Sequence, residues 1–333
     1  MKIAIDAFGS DNAPFPEVEG AVIAVNEDIC EKIFLVGDRT ILEKELDKYF
    51  YPSNRIEIVH ASEVITMDDN ASKAARVKQN SSMVKSLQLH KDGIADAALS
   101  VGNTGAAMAA SLFVLGRIKN IYRPAIAVTF PTISGHEIIL DVGANVDCEA
   151  EYLDQFAIMG SLYAKFLFNI KKPRVALLNI GEESKKGNEL SKKAYMLLSK
   201  NDAINFIGNI EGKDLLQGIT EVVICDGFVG NVMLKTVEGA AYAIFSMMKE
   251  QMKKDWVAKI GAILSYPVFR YIKMKMDHSE IGGALLVGLD GVSVVGHGRS
   301  NANAIKNAIK FTNRIAESDL ILQMKDYFEG NVT

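Results

Sequence analysis

The sequence predicts an α/β fold: a largely parallel, covered sheet with some antiparallel strands and a helical arm. Three observations carry that reading. Short apolar runs alternate with segments of helical spacing along nearly the whole chain, and this β-α-β rhythm calls for parallel strands covered by helices on both faces. Those apolar runs repeatedly end in small polar loops rich in glycine, asparagine and aspartate, which suit the mouth of a ligand site. No repeat or low-complexity linker divides the 333 residues, so residues 1–333 read as one unit, with an amphipathic helical arm over 236–276 inside it.

Taken in order, Lys2 to Phe8 is a strand that ends in the loop Gly9-Ser10-Asp11-Asn12-Ala13-Pro14. Pro16 suits the first turn of a helix reaching about Asn26, and Ile33 to Asp38 is the next strand. Ile41 to Phe50 has helical spacing, Arg55 to Ala61 alternates like a strand, and Thr66-Met67-Asp68-Asp69-Asn70 is polar. Ser72 to Leu89 reads as one helix with Lys73, Arg76 and Lys78 near its start and Ser81-Ser82 in its middle. Cations in a first turn oppose the helix dipole, so they form either a solvated face or a set positioned for an anion.

Ala97 to Val101 breaks into Gly102-Asn103-Thr104-Gly105 and then into an alanine-rich helix to about Leu115. Two glycines let backbone N–H groups approach an anion, and the following helix adds partial positive charge at its N-terminus. A strand-to-helix connection with glycines for geometry alone is the competing reading. Ala125 to Phe130 and Glu137 to Leu140 pair as antiparallel strands, and the second opens into Asp141-Val142-Gly143-Ala144-Asn145-Val146-Asp147. Arg174 to Ile180 leads into the Gly181 to Glu189 loop, which holds Lys186. Ile204 to Ile210 and Glu221 to Cys225 continue the sheet, the latter giving Asp226-Gly227-Phe228-Val229-Gly230-Asn231 before a long helix. Strands at Gly283 to Leu289 and Val292 to Val295 precede Gly296-His297-Gly298-Arg299 and one final helix to about Phe328. Five polar loops are expected to converge beyond the carboxyl ends of the strands.

The arm differs in composition. Between 249 and 275 seven Lys and Arg residues face two acids, in a chain of net charge −4. A basic segment with the apolar tip Ile263, Leu264, Val268 and Phe269 suits an interfacial membrane element, and equally a helix pair at a dimer interface.

Composition narrows the chemistry. The acidic balance and the lack of an aromatic RNA-binding motif argue against nucleic acid. Three dispersed cysteines, Cys30, Cys148 and Cys225, make neither a disulfide framework nor a zinc site and fit a reducing cytoplasm. No metal is indicated, since the five histidines never fall at ligand spacing. Nothing reads as a signal peptide or a membrane span. A Gly-x-Ser-x-Gly elbow, a Walker loop and a dinucleotide fingerprint are all missing. What remains is an anion site of backbone N–H groups, amides such as Asn103, Asn145 and Asn231, and cations such as Lys186. Such a cleft suits an anion that is itself the nucleophile, as when phosphate attacks a thioester.

The loops together resemble the bacterial phosphate acyltransferase family, the acyl-carrier-protein:phosphate transacylases of phospholipid synthesis. The resemblance covers nearly the whole chain. It rests on Ile5-Asp6-Ala7-Phe8-Gly9-Ser10-Asp11 with Ala13-Pro14, Lys78 with Ser81-Ser82-Met83, Gly102-Asn103-Thr104-Gly105-Ala106 and Arg123-Pro124-Ala125. It continues with Leu140-Asp141-Val142-Gly143-Ala144-Asn145, the Gly181 to Glu189 loop, Asp226-Gly227-Phe228 with Gly230-Asn231, and His297-Gly298. Ser10 stands where the family usually has glycine, and Ala71 and Ala75 replace its usual proline and leucine.

The resemblance implies a three-layer α/β/α fold like that of isocitrate and isopropylmalate dehydrogenases and of phosphotransacetylase. It implies a cytoplasmic homodimer on the membrane face, in contact with anionic lipid and the downstream membrane acyltransferase, and no cofactor. Acyl carrier protein and inorganic phosphate are the implied substrates. Lys186 and Asn231 fall on the family's catalytic pair. Asp6, Gly9, Gly102, Asn103, Thr104, Gly105, Asn145, Asp226 and His297 are the expected substrate and phosphate contacts. A phosphotransacetylase acting on short acyl-CoA, and a membrane-docked scaffold without activity, are the alternatives.

Overall fold

The computed structural model describes residues 1–254, 256–276 and 282–330. Asp255 of the basic arm lies outside them, as do the side chains of Lys253, Lys273 and Lys275. The strands are β1 (Lys2–Asp6), β2 (Lys32–Gly37), β3 (Ile56–His60), β4 (Ala97–Ser100), β5 (Ala125–Thr132), β6 (Gly135–Leu140), β7 (Arg174–Leu178), β8 (Asn205–Ile210), β9 (Val222–Ile224), β10 (Ala284–Val287) and β11 (Ser293–Val295). They join in one sheet of order β3-β2-β1-β4-β11-β10-β5-β6-β9-β7-β8.

Side chains alternate across this sheet as the strand period requires. Ile3, Ile5, Leu99 and Leu140 enter one core, packed against α1 (Phe15–Asn26), α2 (Arg39–Leu46), α6 (Ala150–Phe168), α7 (Glu189–Leu198), α11 (Ala302–Ala316) and α12 (Leu320–Glu329). Ala98, Ile126, Phe130 and Ile139 enter the other, packed against α3 (Ala71–Val77), α4 (Ser82–Lys91), α5 (Thr104–Val114) and the first turns of α8 (Gly227–Lys254). The result is the expected three-layer arrangement. Beyond α8, α9 (Trp256–Leu264) buries none of its residues, and α10 (Tyr266–Met276) follows it. The long helix of the arm begins at Gly227, nine residues before the expected start of the arm at 236.

Strand direction decides where the loops go. β1, β2, β3, β4 and β11 run parallel, and β10 pairs antiparallel with both β11 and β5. β5 pairs antiparallel with β6, and β6, β9, β7 and β8 run parallel to one another. The two sets of strands therefore point in opposite directions. The loops after β1, β4 and β11 leave one edge of the sheet, and those after β6, β7 and β9 leave the other. Five loops do not share one mouth, because the β5–β6 hairpin reverses the second half of the sheet.

The register brings the two sets close again at the centre. Ser100 lies beside Val295, Val295 beside Ala284, and one row away Leu285, Ala127 and Leu140 are neighbours. The last residues of β4 and β6 thus fall in adjacent rows. At about 3.3 Å per residue, both sets of loops border the same patch over β5.

Two helices expected as continuous are broken. Ser72 to Leu89 divides into α3 and α4, because Lys78 leaves helical geometry at φ −86°, ψ 65° and Ser81 caps α4 by accepting from the Val84 N–H. Arg76 consequently lies in the last turn of a helix, where a cation is favourable, and stacks 4.5 Å from the Phe113 ring. Lys78 donates to the Asp69 carboxylate at 2.6 Å and to the Val64 carbonyl at 2.9 Å, so it tethers the polar 66–70 segment. At the other end, Ser318 and Asp319 separate α11 from α12, where the Ser318 hydroxyl accepts from Leu320 N–H.

Candidate active site

A cavity of about 780 Å³ lies over β5 where the two halves of the sheet meet. Of the expected site residues, it is lined by Thr104, Gly105, Asn231 and His297.

One end of it is electropositive for reasons of backbone geometry. α5 follows β4 and α11 follows β11, so two adjacent parallel strands deliver two helix N-termini side by side. Thr104 and Gly105 of α5, with Ser300, Asn301 and Ala304 around the start of α11, line the cavity. Asn103 caps α5 by accepting from Ala106 N–H at 3.0 Å, and Asn301 caps α11 by accepting from Ala304 N–H at 2.9 Å. Each N-terminus carries roughly half a positive charge. Arg299 adds a full charge to the lining, whereas Lys235, also on the lining, is paired at 2.9 Å with the carboxylate of Glu238 beside it. Sequence reasoning missed both as site residues. Their signals were the position of Arg299 between a strand and a capped helix, and the position of Lys235 one helical turn beyond Asn231.

His297 is exposed on the loop between β11 and α11, and its Nδ1 accepts from the Arg299 N–H at 3.1 Å. With Nδ1 accepting, the neutral ring carries its proton on Nε2 as a donor.

The opposite wall comes from the loop after β6. Asp141, wholly buried, accepts from the backbone N–H groups of Ile126, Gly143, Ala144 and Asn145 and from Asn145 Nδ2. Burial pushes its carboxyl above the usual range, while these donors pull it back. The carboxylate therefore occupies its own nest of amides and fixes the loop. Gly143, at φ +142°, lies where an added Cβ would come within 3.7 Å of Asn231 Cγ. Gly227 and Gly230 let the start of α8 press on the same loop, against Asn145 and Asp141 respectively. Asn231 is thereby held on the second turn of α8, exposed at the cavity.

The remaining expected residues support these walls from behind or stand apart. Asp6 is buried and accepts from the Ser100 hydroxyl at 2.8 Å; burial raises its carboxyl. Gly9 and Gly102 meet backbone to backbone behind the α5 turn. Asn103 Nδ2 donates to the Met67 carbonyl at 3.2 Å, Asn145 Nδ2 to the Pro124 carbonyl at 2.8 Å, and Asp226 caps α8 through Val229 N–H at 2.8 Å. Lys186 is exposed on the loop after β7, its N–H donating to the Glu183 carbonyl at 3.0 Å, and is not among the residues lining the cavity. Its loop leaves the same edge of the sheet as the Asp141 and Asp226 loops. Among the described residues, no group of three or more His, Cys, Asp or Glu side chains is placed to hold a metal ion.

Comparison with known proteins identifies the lineage. A family model described as "Fatty acid synthesis protein" matches residues 1–323. The chain belongs to this family. The protein named phosphate acyltransferase in Dictyoglomus thermophilum is 49% identical over 321 residues, covering 96% of this chain and 95% of that protein. The family expected from the loops is the family found. Among solved structures, a phosphotransacetylase from Streptococcus pyogenes superposes with a TM-score of 0.61 at 17% identity, covering 96% of this chain and 94% of that one. A 4-hydroxythreonine-4-phosphate dehydrogenase from Klebsiella pneumoniae superposes at 0.53 and 10% identity, covering 96% and 98%. These two establish the shared α/β fold of the family.

Proposed function

We propose that the protein transfers an acyl group from an acyl carrier protein thioester to inorganic phosphate, giving acyl phosphate and free carrier for glycerophospholipid synthesis. The observation that carries this reading is the meeting of two capped helix N-termini and Arg299 with Asn231 across one cavity. A phosphate oxygen bonds to the acyl carbon, the carbon–sulfur bond breaks, and the proton of the hydrogen phosphate passes to the departing thiolate. The N-termini of α5 and α11 hold the dianion. Asn231 donates to the thioester oxygen as negative charge develops there, and His297 Nε2–H donates to the phosphate. Lys186, on a loop at the same sheet edge as the Asn231 wall, closes over the substrate and neutralises charge.

The relative's name supports the reaction, and exposed Arg299 at the cavity suits an acidic carrier protein. The arm of 236–276 is proposed to dock the protein on the cytoplasmic face of an anionic membrane, beside the downstream membrane acyltransferase, and to contribute to a homodimer. In its favour, Ile263, Leu264 and Val268 are well exposed at the α9–α10 tip and Phe269 is half-buried, with Lys259 and Arg270 exposed beside them. Among the described residues no helix is long and apolar enough to cross a membrane.

The test offers palmitoyl carrier protein and acetyl-CoA at equal concentration with labelled phosphate. Label should appear in palmitoyl phosphate; a preference for acetyl-CoA would instead favour phosphotransacetylase. Lys186→Ala should lower kcat by more than about tenfold, and unchanged turnover would remove Lys186 from the mechanism. A protein that binds carrier but yields no acyl phosphate would be a scaffold.

A further inference from the structure

The cavity has a second, apolar part that phosphate chemistry does not use. In the proposed reaction the thioester carbon must come within about 3–3.5 Å of a phosphate oxygen, which places it between Thr104 and Asn231. From that point the acyl chain needs an apolar path. β5 supplies a floor of Val128 and Phe130, and α8 supplies a wall of Leu234, Val237, Ala241 and Phe245.

These four positions recur at helical spacing and share one stripe of α8. All four are only half-exposed, whereas Tyr242, Ile244 and Met247 face outward. Leu234 and Val237 pack against the core at the base of the cavity, whereas among the described residues Ala241 and Phe245 are not part of that core and border the cavity alone. From Asn231 to Phe245 the helix rises about 21 Å at 1.5 Å per residue. One leaflet of a bilayer core is about 15 Å deep, so the stripe is long enough for a full membrane acyl chain. A volume near 780 Å³ also falls within the range of pockets that bury most of a ligand.

We propose that the trough between β5 and α8 is the acyl-chain channel, and that Ala241 and Phe245 set the chain length it accepts. The assignment rests on the reaction proposed above. Its occupant is the acyl chain of the substrate, because the trough is continuous with the polar end where the carbonyl must react.

Ala241→Trp should lower the ratio of kcat/KM for palmitoyl over butyryl carrier protein by at least about tenfold, the scale on which hydrophobic pockets discriminate by methylene groups. Phe245→Ala should shift the optimum toward longer chains. Equal changes for both substrates, or none in soluble protein of unaltered circular dichroism, would overturn the assignment. A binding measurement decides it without turnover: wild-type protein should bind cis-parinaric acid, with displacement by palmitate, and Ala241→Trp should weaken that binding about tenfold. Undiminished binding by Ala241→Trp would contradict the channel. Wild-type protein that makes no acyl phosphate from either donor would overturn the reaction, while the parinaric acid result would still decide the channel.

Discussion

Gly9 and Gly102 meet backbone to backbone: a Cβ on Gly9 would lie 2.8 Å from the Gly102 nitrogen, and one on Gly102 would lie 3.2 Å from the Gly9 carbonyl oxygen. The loops after β1 and β4 are thus locked together immediately behind the α5 N-terminus. Their glycines serve close approach between two loops, and the cavity itself is lined by the residues that follow, Thr104 and Gly105.

Gly9→Ala, whose Cβ would press on the Gly102 backbone nitrogen, is expected to cost about 1–3 kcal/mol, the usual penalty of overpacking, and to raise the KM for phosphate. Gly239→Ala is the control. It lies inside α8 with nothing within 4 Å of an added Cβ and should stabilise by about 0.5–1 kcal/mol. Denaturant unfolding of both variants checks this, and an unaltered midpoint for Gly9→Ala would contradict it.

Asp141→Asn turns an acceptor into a group that presents its own N–H to the amides of Gly143, Ala144 and Asn145. Leaving buried donors unpaired costs about 1–3 kcal/mol or more. Because the same loop holds Asn231 in place, kcat should fall with stability. Full activity at an unchanged unfolding midpoint would show that the nest is dispensable.

Much of this arrangement was legible before the fold was known. The turn at Gly102 to Gly105, the Asp141 to Asn145 loop and the antiparallel pairing of β5 with β6 all follow from short-range patterns. The consequence of that pairing did not, since it depends on which strands become neighbours in a sheet spanning the whole chain. Arg299 and Lys235 escaped notice for the same reason: they reach the cavity only because α11 starts beside α5 and α8 crosses above β5. The break at Lys78 was hidden because the helical periodicity of 72–89 is not interrupted by glycine or proline, and the stop is set by contacts from Lys78 to Asp69 and Val64.

Glu137 is wholly buried with neither carboxyl oxygen hydrogen-bonded, and burial pushes its pKa up to about 8. The native state therefore keeps this proton at pH values where the unfolded chain has lost it. Its contribution to stability is fully present below about pH 4.5 and is lost as pH rises through about 8. Glu17, raised to about 7 by burial, acts in the same direction. Glu137→Gln should match the wild type near pH 5 and exceed it by a few kcal/mol near pH 8.5. An equal difference at both pH values would contradict this.

For the arm, the double substitution Ile263→Asp with Leu264→Asp should reduce co-sedimentation with vesicles containing anionic phospholipid by at least about tenfold, leaving particle mass in solution unchanged. A halved mass would make the tip a subunit interface instead.

Inorganic phosphate held at the N-termini of α5 and α11 is the nucleophile of the proposed reaction, and Thr104→Asp tests its place there most directly. A carboxylate in the first turn of α5 favours the helix, so folding is preserved while the phosphate meets a like charge. The KM for phosphate should rise at least about tenfold, with the KM for the acyl carrier thioester little altered. Equal effects on the two substrates, or no effect on phosphate, would contradict the assignment of this end of the cavity to the nucleophile.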